Sequence, residues 1–174
     1  LSISLLGTFL GMNEEYSQAI KFQKLAIEKA PFEIAFYINL SETLSIINKL
    51  EDALSILYFA KVLSLTDKLI DYKIAKIHTK LKNFLKAELI YQNLIKEDPI
   101  SSEIIYSYCD NLIRSNKEKE AILFLEKYEL KNPKDEQVKV LIGFAYYNIK
   151  QYKTAKNILL EVTQLNNYNE RQGF

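Results

Sequence analysis

The sequence predicts an all-α protein, a solenoid of five 34-residue helix–turn–helix repeats, and three observations predict it. An alanine recurs in register at Ala19, Ala53, Ala87, Ala121 and Ala155, with no insertion or deletion between them. Ahead of each alanine stands a small residue (Gly7, Ser41, Ala75, Cys109 and Gly143), itself preceded by a bulky one (Leu6, Leu40, Ile74, Tyr108 and Ile142). Only four glycines and three prolines punctuate 174 residues. An all-β chain needs a turn signal about every 8–12 residues, so that class is disfavoured.

Each repeat divides into two helices around a short joint. Two antiparallel helices packed about 8–10 Å apart leave little room where they cross most closely. The small residue before the joint and the alanine after it are expected at that crossing. In the first repeat, 1–33, helices are expected near 1–12 and 16–29. There Ala19, Phe22 and Ala26 recur at three- and four-residue steps, the mark of one helix face. Pro31 then closes the repeat, because proline lacks an N–H and disfavours helix in the residue before it. The second repeat, 34–67, places helices near 35–47 and 51–64, with Leu65 in the proline column. The third, 68–101, places them near 69–81 and 85–97 ahead of Pro99. The fourth, 102–135, follows with 103–115 and 119–131 ahead of Pro133. The fifth, 136–169, gives 137–149 and 153–166, with Asn167 in the proline column and 170–174 as a tail. The joints "NEEY", "NKLE", "KNFL", "NKEK" and "KQY" are short and polar, as helical hairpins prefer.

At these columns the chain resembles the tetratricopeptide repeat (TPR) family. Repeat one carries the pattern as Ile3, Leu6, Gly7, Leu10, Ala19, Gln23, Ala26 and Pro31. Repeat four carries it as Ile105, Tyr108, Cys109, Leu112, Ala121, Leu125, Tyr128 and Pro133. The resemblance covers nearly the whole chain and implies a right-handed α-solenoid. Gln23, Asp71 and Lys139 depart from it, standing where large apolar residues are usual. Neighbours such as Phe22, Ile70, Tyr72, Val138 and Val140 are expected to fill the space by local repacking.

The ends carry a further expectation. A terminal repeat must shield its open face, usually with a polar or amphipathic helix. "LSISLLGTFLG" opens instead on Leu1, Ile3, Leu5, Leu6 and Phe9, and "ERQGF" after Asn169 is too short for a cap. The native protein is therefore expected to continue past at least one end, or to join copies there as an oligomer.

Composition narrows the function. Lys and Arg total 23 against 22 Asp and Glu, a net charge of +1, without the basic excess of a general nucleic-acid binder. RNA binding through the lysines of repeat three and nearby tyrosines is a minor alternative, and no nucleic acid is expected. No apolar run approaches the length of a membrane span. A soluble protein is expected, with the cytoplasm slightly favoured. The single cysteine excludes an internal disulfide.

No catalytic grammar stands out, and no cofactor or metal is expected. The glycines at 7, 11, 143 and 173 fit no phosphate loop, and one histidine supplies no multi-histidine zinc site. Cys109 and His78 fall in packing columns, where they are expected to be buried. The acidic pairs Glu14–Glu15 and Glu51–Asp52 sit at joints and helix starts, facing the positive end of a helix.

What remains is surface. The resemblance implies a concave groove lined by the first helix of each repeat. Carried onto this sequence, the candidate peptide-binding residues are Ile38, Asn39, Tyr72, Lys73, Lys76, Lys80, Tyr106, Asp110, Arg114, Phe144, Tyr147 and Asn148. Lys73, Lys76 and Lys80 share one helix face, and rigid aromatics of the kind enriched at binding hot spots flank them in sequence. A partner peptide with an acidic group near repeat three, and apolar side chains toward repeats four and five, is the expected fit. The Lys-Asn carboxylate clamp with which co-chaperone members grip chaperone C-terminal tails matches in no frame, so such tails are not expected. The chain reads as a non-catalytic scaffold for protein–protein or protein–peptide binding. The alternative is a targeting or regulatory segment of a larger enzyme, for example a glycosyltransferase, whose catalytic domain lies elsewhere.

Overall fold

The computed structural model describes residues 3–96, 101–132 and 135–172, with side chains as far as Thr163. Ten α-helices and no strand occur among the described residues. They are α1 (Ile3–Met12), α2 (Tyr16–Lys29), α3 (Ile34–Ile46), α4 (Leu50–Leu63), α5 (Lys68–Lys80), α6 (Phe84–Ile95), α7 (Ser102–Arg114), α8 (Glu118–Lys131), α9 (Glu136–Asn148) and α10 (Tyr152–Gln172). They make the five hairpins expected. The chain divides into two compact lobes, Leu1–Leu94 and Ile95–Phe174.

The alanine column is buried throughout: Ala19, Ala53, Ala87 and Ala121 are wholly covered and Ala155 almost so. Its small partners Gly7, Ser41, Ala75, Cys109 and Gly143 are buried too. The crossing is as tight as the spacing predicts. A Cβ on Gly143 would lie 2.7 Å from Cδ2 of Leu159, and one on Gly7 would lie 2.9 Å from Cγ of Gln23. Around these contacts the first lobe buries Leu40, Leu44, Leu57, Ile70 and Ile74. The second lobe buries Ile105, Leu112, Leu125, Val138 and Ile142. Full burial of one such side chain contributes about 1.5–3 kcal/mol.

The joints show a second register. Glu14, Asn48, Lys82, Asn116 and Lys150 all adopt a left-handed backbone, with φ between 61° and 64°. Each closes its helix by the same two bonds. At the first joint, Glu14 N–H donates to Gly11 O (3.2 Å) and Glu15 N–H to Leu10 O (2.9 Å). At the third, Lys82 N–H donates to Thr79 O (3.1 Å) and Asn83 N–H to His78 O (2.9 Å). This is the Schellman arrangement, which satisfies carbonyls left over at a helix end. The next helix begins on the same residue that completes it: Ala19 N–H donates to Glu15 O and Ala87 N–H to Asn83 O.

The ends of the second helices refine the sequence expectation. Ala30, ahead of Pro31, leaves the helical region at φ −143° and ψ 78°, as a pre-proline residue tends to. Ser64 takes nearly the same conformation, φ −143° and ψ 96°, with Leu65 in place of proline. Proline is thus compatible with this stop and not required for it. Pro99 and Pro133 lie outside the described residues. The expected end of the last helix at 166 is corrected: α10 continues to Gln172. Asn167 keeps the N–H that proline would have removed, so the ladder is not interrupted there.

The three departures from the repeat pattern are accommodated in two ways. Ile70 and Val138 are fully buried and fill the core as expected. The polar residues also find partners. Gln23, itself buried, donates from Nε2 to Thr43 Oγ1 at 2.9 Å. Asp71 pairs with Lys61 at 2.7 Å, and Lys139 lies 3.5 Å from Glu161 and 3.8 Å from Glu129.

Two stability outcomes are expected in urea denaturation. Ala87→Leu overpacks a fully buried crossing and should cost about 1–3 kcal/mol. Lys82→Gly relieves a left-handed backbone at an exposed joint and should add about 0.5–1 kcal/mol.

Candidate functional site

In the first lobe, α3 and α5 run beside each other and enclose a shallow recess of about 250 Å³. From α3 come Ser41, Glu42, Ser45 and Ile46; from α5 come Lys73, Lys76, Ile77 and Lys80. The spacing on α5 places all four side chains along one face, as the helical period requires. Three lysines against one glutamate make the recess electropositive.

Each lysine is held differently. Lys73 donates to Oε1 of Glu42, an ion pair between the two helices. Lys80 donates to Ser45 Oγ at 2.7 Å. Lys76 places its ammonium 5.2 Å from the centroid of the Tyr72 ring, within cation–π range. Burial first, and the neighbouring Lys76 second, hold the Lys80 ammonium below its ordinary pKa. Ser41 is buried and its hydroxyl donates to Ile38 O at 2.7 Å, so it belongs to the floor. Ile46 is well exposed and gives the rim an apolar shoulder, while Ile77 is buried beneath.

The recess gathers Lys73, Lys76 and Lys80, and two neighbouring candidates are corrected. Ile38 and Tyr72 are buried, 8% and 4% exposed, and cannot serve as open groove residues. Ile38 packs into the core cluster, and the Tyr72 ring lies 6.5 Å from that of Tyr91 on α6. Asn39 is half-buried, its Nδ2 donating to Thr8 Oγ1 at 3.4 Å. Ser41, Glu42, Ser45, Ile46 and Ile77 line the recess but are absent from the candidate set. The available signal was their offset: the Lys73–Glu42 and Lys80–Ser45 contacts span 31 and 35 residues, close to one repeat.

The second lobe carries the other candidates. Tyr106 is half-buried and donates to Asp135, the residue just ahead of α9; burial and this carboxylate push its phenol pKa up. Asp110 and Arg114 pair along α7 at 2.7 Å. Phe144 and Tyr147 are exposed on α9, and the Tyr147 ring meets that of Tyr152 edge-on at 5.3 Å. Asn148 is exposed at the end of the same helix.

Neither potential nucleophile is available. Cys109 is fully buried, and burial pushes its thiol pKa up to about 12, so the thiolate is suppressed. His78 is buried, with Nε2 3.1 Å from the Tyr58 hydroxyl and Nδ1 without a hydrogen-bond partner among the described residues. No cluster of three metal-ligating side chains occurs among the described residues, and no helix among them is long and apolar enough to cross a membrane.

Comparison with known proteins defines the fold. No protein-family model matches the sequence, and no curated protein matches it. Solved structures do. A tetratricopeptide repeat protein from Parabacteroides merdae superposes with a TM-score of 0.84 at 14% identity, over 93% of this chain and 63% of that one. TPR-like repeats of a kinesin light chain from Podosopora anserina give 0.83 at 13% identity, over 98% and 95%. MamA from Desulfovibrio magneticus RS-1 gives 0.76 at 13% identity, over 97% of each. This chain has the tetratricopeptide-repeat fold, and it spans less than two thirds of the Parabacteroides protein's length.

One pH dependence follows. Burial first, and Lys86 second, lower the His78 pKa below its ordinary 6.5. Unfolding then takes up a proton as pH falls past 6.5, so the stability tied to the neutral ring is present above that value. It is lost as pH drops through the folded-state pKa. The thermal midpoint should fall over this window more steeply for the native chain than for His78→Gln.

Proposed function

We propose that this protein is a non-catalytic scaffold whose first lobe holds an acidic peptide segment of a protein partner in the recess between α3 and α5. The observation that carries this reading is the convergence of Lys73, Lys76 and Lys80 beside the exposed Ile46 shoulder. A carboxylate of the peptide would lie against Lys76 and Lys80, and a neighbouring aliphatic side chain would cover Ile46. The recess suits one or two side chains, as expected for a segment recognised at a few anchor points. Phe144 and Tyr147, exposed on the second lobe, offer apolar contacts to a partner independently.

Fluorescence anisotropy with a labelled peptide rich in Asp and Leu, beside its Asn-for-Asp counterpart, tests the reading. The acidic peptide should bind more tightly, and raised salt should weaken it. Lys76→Ala with Lys80→Ala should lower its affinity about tenfold or more while helical circular dichroism is retained. Equal binding of the two peptides, or an unchanged affinity in the folded double variant, moves the site elsewhere.

A further inference from the structure

The recess already contains one carboxylate of its own. Glu42 reaches from α3 to Lys73 on α5, and the pair sits at the rim, with the Glu42 side chain 45% exposed. Lys80 meets a neutral hydroxyl and Lys76 stands over a tyrosine ring, while Lys73 meets a carboxylate that belongs to the recess itself. Glu42 thus lies where an acidic side chain of a bound peptide would need to go to reach Lys73.

Resting on the reading of the recess as an acidic-peptide site, we propose that Glu42 is an internal competitor: it pre-occupies Lys73 and sets the affinity of the recess for carboxylates. A single incoming acid is read by Lys76 and Lys80. Reaching Lys73 requires Glu42 to be displaced into solvent, which its exposure permits. Removing the Glu42 charge takes away a carboxylate that lines the recess beside Lys73, Lys76 and Lys80. Because the pair is at the surface, its loss should cost the fold little. The Lys80 pKa, lowered first by burial and then by Lys76, agrees with a recess that gains from added negative charge.

The test is a double-mutant cycle on the full chain, with the same labelled Asp- and Leu-rich peptide and its Asn counterpart at low ionic strength. Glu42→Gln should tighten the acidic peptide about fivefold and leave the Asn peptide where it was. Lys73→Gln should weaken the acidic peptide more in the Glu42→Gln background than in the native chain, since the lysine is released only there. Glu42→Ala should reproduce the gain, guarding against an effect peculiar to glutamine. Affinity unchanged or weakened in both Glu42 variants, or strict additivity around the cycle, overturns the competitor role even if the native chain binds the acidic peptide through Lys76 and Lys80. If the acidic peptide fails to bind native and Glu42 variants alike, the recess reading itself falls, and this inference with it.

Discussion

The structure depends on how closely two helices can approach within a hairpin. Where they cross, one side contributes a residue no larger than cysteine and the other contributes alanine, and all five alanines are buried. Dispersion falls off steeply with distance, so a crossing held apart by one extra methylene forfeits contacts along both helices. The bulky side chains that stabilise each lobe, Leu40, Leu57 and Ile70 in one and Ile105, Leu125 and Val138 in the other, can interdigitate because the crossing is tight. Small residues set the geometry and large ones supply the energy.

That division explains what the sequence made legible. The alanine register, the helix pairs and the buried fate of Cys109 and His78 follow from steric demands that only certain residue types meet. The left-handed joints were hidden for the opposite reason. Glu14, Asn48, Lys82, Asn116 and Lys150 share a conformation but not a residue type, because backbone bonds impose it and the side chains are bystanders. The stop at Ser64 was similarly obscure, since backbone geometry achieves there what Pro31 was expected to dictate. At the recess, the helical spacing of Lys73, Lys76 and Lys80 was readable within one element. Their engagement with Glu42 and Ser45 depends on which helix lies alongside, a property of the packed hairpins. Tyr72 and Ile38 were misplaced for the same reason: a family column specifies a direction on a helix, and Tyr91 and the core around Leu40 occupy that direction here.

The recess and the repeat grammar are separable. None of its charged residues belongs to the alanine or small-residue columns, and Ser41 alone serves both as floor and as part of the crossing. Surface charge can therefore vary at 42, 73, 76 and 80 without disturbing the crossings, which is how one scaffold geometry can present different chemistry. The compensated departures make the same point from inside the packing. Asp71 with Lys61, and Lys139 with two glutamates, occupy nominally apolar columns at positions where water still reaches the charged groups.

The joints leave no slack. Because one residue both finishes a helix and starts the next, a single inserted residue would turn the second helix by about 100° about its axis and swing its alanine out of the crossing. Change of length is thereby excluded inside a hairpin and confined to the links between hairpins, or to the gain and loss of whole hairpins. Such a chain can be lengthened like a row of bricks, but no individual brick can be stretched.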